Sequence, residues 1–107
     1  MILITKRFLK KNVTGMALFP FILLRDKELK LNKRLINHEK IHLRQQLELL
    51  VVPFCLWYII EYAFRYYQYK DRHKAYLNIS FEREAYAHEK DLEYLRRRKC
   101  YAFFKYL

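Results

Sequence analysis

The rhythm of apolar and polar positions changes three times along the chain, and each change predicts a different element. Residues 16–24, "MALFPFILL", are apolar, with aromatic and β-branched content. Pro20 interrupts them and offers no amide to a ladder, which suits an edge strand. Residues 1–8 can pair with this segment as a short hairpin across "KKNVTG". After the charged turn "RDKELK", Asn32 can cap a helix in which Leu35, Ile36, Ile41, Leu43, Leu47 and Leu50 recur at helical intervals as far as Pro53.

The next segment, "VVPFCLWYIIEYAFRYYQYK", opens within an uninterrupted apolar run over residues 49–60. A bilayer-spanning helix needs about 20 apolar residues, so this is expected to be a core helix or one lying in a membrane interface, with Trp57 and the tyrosines at its wet edge. A third helix is expected from near Ser80 through "NISFEREAYAHEKDLEYLRRRK". Ser80 can cap it with Glu84 in the first turn, and Phe81, Ala85, Leu92 and Leu95 give an apolar stripe at three- and four-residue steps. The predicted fold is mainly α: a minimal domain of about three helices with a short N-terminal β hairpin or edge strand.

Length and composition narrow this further. A chain of 107 residues is about one small domain, so residues 1–107 are taken as a single unit. With 53% apolar residues, 18% aromatic, one glycine and two prolines, disorder is excluded for most of the length and helices are favoured. The formal charge of +11 favours anionic partners: an anionic membrane surface, nucleic acid or an acidic protein. The start "MILITKRFLKKNVTG" lacks the order of a secretory signal, so the expected location is cytoplasmic, with peripheral association at the inner membrane face as an option. Cys55 and Cys100 show no disulfide or CxxC spacing and are expected to be buried free thiols.

The chemistry is carried by "NHEKIH". His38-Glu39-Lys40-Ile41-His42 has the H-E-x-x-H spacing on a predicted helix. Four residues make about one turn, so both imidazoles project from one face and can bind one zinc. Glu39, about 100° further round, can reach a water on that ion and act as general base. With 4 histidines in 107 residues, random placement gives this pattern roughly once in a hundred such chains. The bland alternative is a solvated i, i+4 histidine pair beside a surface glutamate.

A catalytic zinc takes three protein ligands and leaves a place for water. The candidates for the third are His73, His88, Glu82 and Glu84. His73 lies in the charged stretch "KDRHKAY", read as a loop, and His88 sits on the third helix's stripe, where a satisfied core histidine is equally natural. Ala85 in "FEREAY" would let this helix approach the zinc helix closely.

At this point the chain resembles a family. HExxH followed on a later helix by E-x-x-A is similar to the gluzincin metallopeptidases, whose third ligand commonly stands in E-x-x-A-D or E-x-E-A-D, and to small bacterial zincin-like proteins. Carried over by position, the resemblance implies His38, His42 and Glu82 as zinc ligands, Glu39 as general base, and hydrolysis of a peptide bond in a peptide or protein substrate. Tyr86 stands where the family usually has an aspartate that orients a ligand histidine; its hydroxyl could take that role or donate to an oxyanion. Helical periodicity favours Glu84 over Glu82, whereas the family pattern favours Glu82. Gln45 and Gln46, a turn beyond the motif, either line the site or are solvated.

The substrate is expected to add as a strand along the edge of residues 19–24. "RRRK", residues 96–99, reads as a charged helix end or a contact with anionic phospholipid. Two rivals stand beside the peptidase: a basic helical module docking on membrane or nucleic acid with structural histidines, and a zinc-binding protein without catalysis, closed by a fourth ligand such as His88.

Overall fold

The computed structural model of the chain describes residues 2–4 and 14–107. It is mainly helical, with three short strands at the N-terminal end: β1 (Ile2–Ile4), β2 (Gly15–Leu18) and β3 (Phe21–Leu24), followed by α1 (Lys33–Leu49), α2 (Val51–Tyr69), α3 (Arg72–Leu77), α4 (Ser80–His88) and α5 (Tyr94–Arg97). Short 3-10 turns cover Lys27–Leu31 and Ala102–Tyr106. No single described helix is long and apolar enough to cross a membrane.

The expected single strand over 16–24 is two strands. Phe19 and the cis-linked Pro20 form the turn between β2 and β3, which pair antiparallel with Ala17 opposite Ile22. β1 pairs parallel with β3, so the order is β1-β3-β2 and β3 is central, not an edge. Of the anticipated hairpin partner over residues 1–8, only 2–4 lie among the described residues. Ile22 and Leu24 point to the core from β3.

Asn32 caps α1 as the sequence suggests, its Oδ1 accepting from the Leu35 amide at 3.1 Å. The helix ends before Pro53, at Leu50, whose φ of 68° breaks the spiral, and α2 leaves at 111° to α1. Pro53 then falls in the first turn of α2, where a missing amide is harmless. The stretch "DRHKAY" is a helix and not a loop: the Asp71 carboxylate accepts from the His73 and Lys74 amides and so caps α3.

Helix α4 is also shorter than its stripe suggested. Ser80 is its first residue, capped from outside by Glu61 of α2, which accepts from the Ser80 amide and hydroxyl. The helix stops at His88 because the Asn37 amide of α1 donates to three carbonyls there, those of His88, Glu89 and Asp91, at 2.9–3.2 Å. Leu92 is therefore exposed in a turn instead of continuing an apolar stripe.

The apolar core is small. Phe54, Ile79, Phe81 and Phe103 form one cluster with Trp57 and Tyr58 against it, and Ile41, Ala85 and Tyr94 form another between α1 and α4. The face that α1 buries is mostly polar: Asn37, His38, Glu39, His42, Gln45 and Gln46, with Ile41 alone apolar. Burial of charged and amide side chains requires compensating partners, and these define the site.

Candidate metal centre

His38 and His42 stand one turn apart on α1, with their Nε2 atoms 3.2 Å from each other. The first turn of α4 brings Glu82 between them: its Oε1 lies 3.1 Å from His38 Nε2 and 3.0 Å from His42 Nε2. All three side chains are buried. Ala85, one turn beyond Glu82 and fully buried against Ile41, lets the two helices approach this closely. Ligand atoms about 2.0–2.1 Å from a tetrahedral ion stand about 3.3 Å apart, so the observed spacing and the two-imidazole, one-carboxylate donor set fit a zinc ion. Among the described residues this is the group of three side chains arranged to hold a metal.

The surrounding hydrogen bonds fix how the donor atoms present themselves. Gln45 uses its amide NH2 on the Phe81 carbonyl and on Glu84 Oε1, at 3.1 and 2.9 Å, so its oxygen faces His42 Nδ1 at 2.8 Å. That oxygen requires a hydrogen on Nδ1, which leaves the lone pair of neutral His42 on Nε2, toward Glu82 and His38. Tyr58 of α2 donates to Glu82 Oε2 at 2.8 Å and so holds Oε1 toward the histidines. Glu89 Oε1 lies 3.6 Å from His38 Nδ1, on the opposite side of that ring from Glu82.

Glu84, favoured by periodicity as a ligand, sits elsewhere. It is fully buried and bonded to Arg98, to the Tyr94 hydroxyl and to Gln45, while Arg98 also pairs with Glu48 of α1 at 2.7 Å. Burial disfavours its charge, but these donors outweigh that and hold its carboxyl below the usual range. Its connection to the histidines runs through Gln45. Arg98, read as part of a charged helix end, has a completely buried side chain and is this network's cation.

The other candidates are placed apart. His88 stacks on Tyr94 with ring centres 3.8 Å apart and meets the Tyr106 hydroxyl through Nε2 at 2.8 Å, so it is a packed structural histidine. His73 is exposed in the first turn of α3. Tyr86 packs edge-on against the His38 ring at 4.5 Å, but its hydroxyl meets that of Tyr76 at 2.8 Å, so it does not hydrogen-bond the histidine as the missing aspartate would. Both cysteines, expected to be buried free thiols, are free, but Cys55 is only half-buried, beside the Phe54 cluster, and Cys100 is exposed.

The electrostatics follow from the packing. Burial opposes charge on His42, but the facing Glu82 outweighs it and raises the imidazole to about 9, while the two histidines depress Glu82 despite its own burial. Burial pushes Glu39 up, with His42 and His38 partly offsetting it. The Glu39 carboxylate lies against Gly15 of β2, where a Cβ would stand 3.4 Å from its Oε2, and among the described residues it makes no hydrogen bond. The chain's one glycine thus faces the carboxylate of the motif.

Gln46 ties β2 to this helix. It donates to the Ala17 carbonyl at 2.8 Å and accepts from the Phe19 amide at 2.7 Å. Arg25 donates to the Thr14 carbonyl, so even-numbered residues of β2 face β3 and Gly15 and Ala17 turn their backbone groups to the outer edge. The strand edge beside Glu39 is therefore that of β2, not of 19–24, where β3 is paired on both sides.

Sequence reasoning noted Gln45 and Gln46 without assigning them, and missed Tyr58, Glu89, Arg98 and Asn37. Only Asn37 and Gln45 left a signal, as polar residues on the same face as the histidines. Comparison with protein-family models, with curated proteins and with solved structures finds no match.

Proposed function

We propose that the chain is a zinc-dependent metallopeptidase of gluzincin type, with His38, His42 and Glu82 as metal ligands and Glu39 as general base. The observation that carries this is the convergence of His38 Nε2, His42 Nε2 and Glu82 Oε1 within 3.0–3.2 Å of one another in a buried site, with the Glu39 carboxylate next to it. Zinc bound there would supply a Lewis acid that acidifies water and polarises a carbonyl.

The chain's own residues account for the rest. Glu39, which makes no hydrogen bond among the described residues and whose affinity for a proton is raised by burial, takes a proton from the attacking water and passes it to the leaving amine. Gln45 keeps His42 in the tautomer that binds through Nε2, and Tyr58 orients Glu82. The outer edge of β2 at Gly15 runs beside Glu39, ahead of the stretch where Gln46 occupies the Ala17 carbonyl and the Phe19 amide, and is the surface on which an extended peptide would add as a strand. Gly15 leaves that approach clear.

The test is hydrolysis of a mixed peptide library followed by mass spectrometry, with and without chelator. Cleavage that chelator stops and zinc restores is the expected result, and Glu39→Gln should retain zinc while losing about 10²- to 10⁴-fold in rate. Cleavage unchanged in Glu39→Gln would remove the assigned base, and a library left intact by zinc-loaded protein would remove the peptidase.

A further inference from the structure

The exposed face of α2 is a feature that the metal centre leaves unused. Val52, Leu56, Ile59, Ile60, Phe64 and Tyr67 are all more than half exposed, Ile60 at 68% and Tyr67 at 76%. At 100° per residue they fall within one sector of the helix, and the span from 52 to 67 covers about 22 Å of helix axis. Their combined exposed area is roughly 700 Å², above the about 300–600 Å² of the largest apolar patch on a typical monomer. The opposite face of the same helix holds Phe54 in the core, Tyr58 on Glu82 and Glu61 on Ser80. Glu61 is the only acidic residue of α2, so the outer sector contains none.

The charges around the sector select its occupant. Lys70 closes the C-terminal end of the stripe, its Nζ 4.8 Å above the Tyr67 ring, and in the exposed segment that follows Arg72 and Lys74 outnumber Asp71. Beside Trp57, which stacks on Phe104 at 6.1 Å, the exposed Phe104 continues the apolar surface and brings Lys105 with it. A second copy laid face to face would bring two chains of +11 together, whereas an anionic surface neutralises the same cations.

We propose that this face of α2 is a membrane-docking surface, lying in the interface of an anionic lipid bilayer with its apolar sector among the acyl chains and Lys70, Arg72, Lys74 and Lys105 at the headgroups. An interfacial helix buries its apolar side about 5–10 Å deep, which suits a helix with an apolar outer sector, aromatic rim and no single-span length. The inner face of α2 then holds Tyr58 and the metal centre about one helix diameter above the lipid. The docking does not depend on the metal or on catalysis.

The test uses the full chain and vesicles of phosphatidylcholine, either pure or with about one third phosphatidylglycerol. Co-sedimentation should be at least tenfold stronger on the anionic vesicles and fall several-fold when salt is raised from low to about 0.5 M. The double variant Leu56→Gln/Ile60→Gln should lose at least tenfold of that binding with an unchanged circular-dichroism spectrum, both positions being more than half exposed. Lys70→Glu/Lys74→Glu should abolish the preference for anionic vesicles. Wild-type binding that is absent, or unchanged in the Leu56/Ile60 variant, overturns the proposal. So does a wild-type dimer that the Leu56/Ile60 variant converts to monomer without vesicle binding, since the stripe would then be a self-interface.

Discussion

Glu82 and Glu84 are two residues apart on α4, and both are buried carboxylates, yet they face different partners: His38 and His42 for Glu82, Arg98 for Glu84. Replacing each by alanine separates the two. Structural zinc sites bind with about 10–16 kcal/mol, so one ligand of three accounts for about 3–5 kcal/mol, and Glu82→Ala should weaken zinc by about 10³-fold. Glu84 reaches the histidines only through Gln45, and its removal should weaken zinc by no more than about 10- to 100-fold. Stability should respond the other way.

Without Glu84 the buried Arg98 retains Glu48 alone among the described residues, and the Tyr94 hydroxyl and the Gln45 amide lose an acceptor. Loss of one partner from a buried ion pair costs about 3–5 kcal/mol, or about 12 °C or more in melting temperature for a domain of this size. Glu82→Ala leaves two imidazoles that can be neutral and one unpaired Tyr58 hydroxyl, a cost of about 1–3 kcal/mol. Chelator competition gives the zinc affinities, and thermal unfolding in excess chelator gives the metal-free stabilities, so that zinc linkage contributes nothing to the second. If Glu84→Ala abolished zinc binding while Glu82→Ala kept it, or if the two variants behaved alike in both assays, the division of labour would be refuted.

The remaining expectations are narrower. Gln45→Leu removes the acceptor on His42 Nδ1 and should weaken zinc by about 10- to 100-fold in chelator competition. Asn37→Ala deprives three carbonyls at the end of α4 of their donor and should destabilise the fold by about 1–3 kcal/mol in urea titration, with faster hydrogen exchange at residues 88–91. Gly15→Val places branched methyls against the Glu39 carboxylate and should reduce hydrolysis at least tenfold while zinc content stays unchanged.

What could be read from the sequence was what repeats or clusters locally. The 3.6-residue period, the Asn32 cap and the HExxH spacing located α1 and set both histidines on one face, because those features depend on residues within a turn of each other. The mainly helical class followed from composition. Junctions set by distant partners were missed: α4 ends at His88 because of Asn37, fifty residues earlier, and its start is held by Glu61 of α2. For the same reason Arg98 read as a solvated helix end when it is the cation between Glu48 and Glu84. The choice between Glu82 and Glu84 turned on which flank of the α4 stripe meets the histidines, and periodicity did not reveal that both flanks are buried, Glu82 against His38 and His42 and Glu84 against Arg98. Pro20 was a sound sign of an interrupted ladder, but the interruption is a hairpin turn, so the strand edge beside the motif belongs to β2.

Metal content is the most direct measurement of the central claim. Protein purified without chelator, analysed by elemental mass spectrometry, should contain about one zinc per chain, and His38→Ala and His42→Ala should contain essentially none. Zinc added to the metal-free wild type at 100 times its dissociation constant should raise the unfolding free energy by about 2.7 kcal/mol. A wild-type protein that carries no metal and whose melting temperature zinc leaves unmoved would contradict the account.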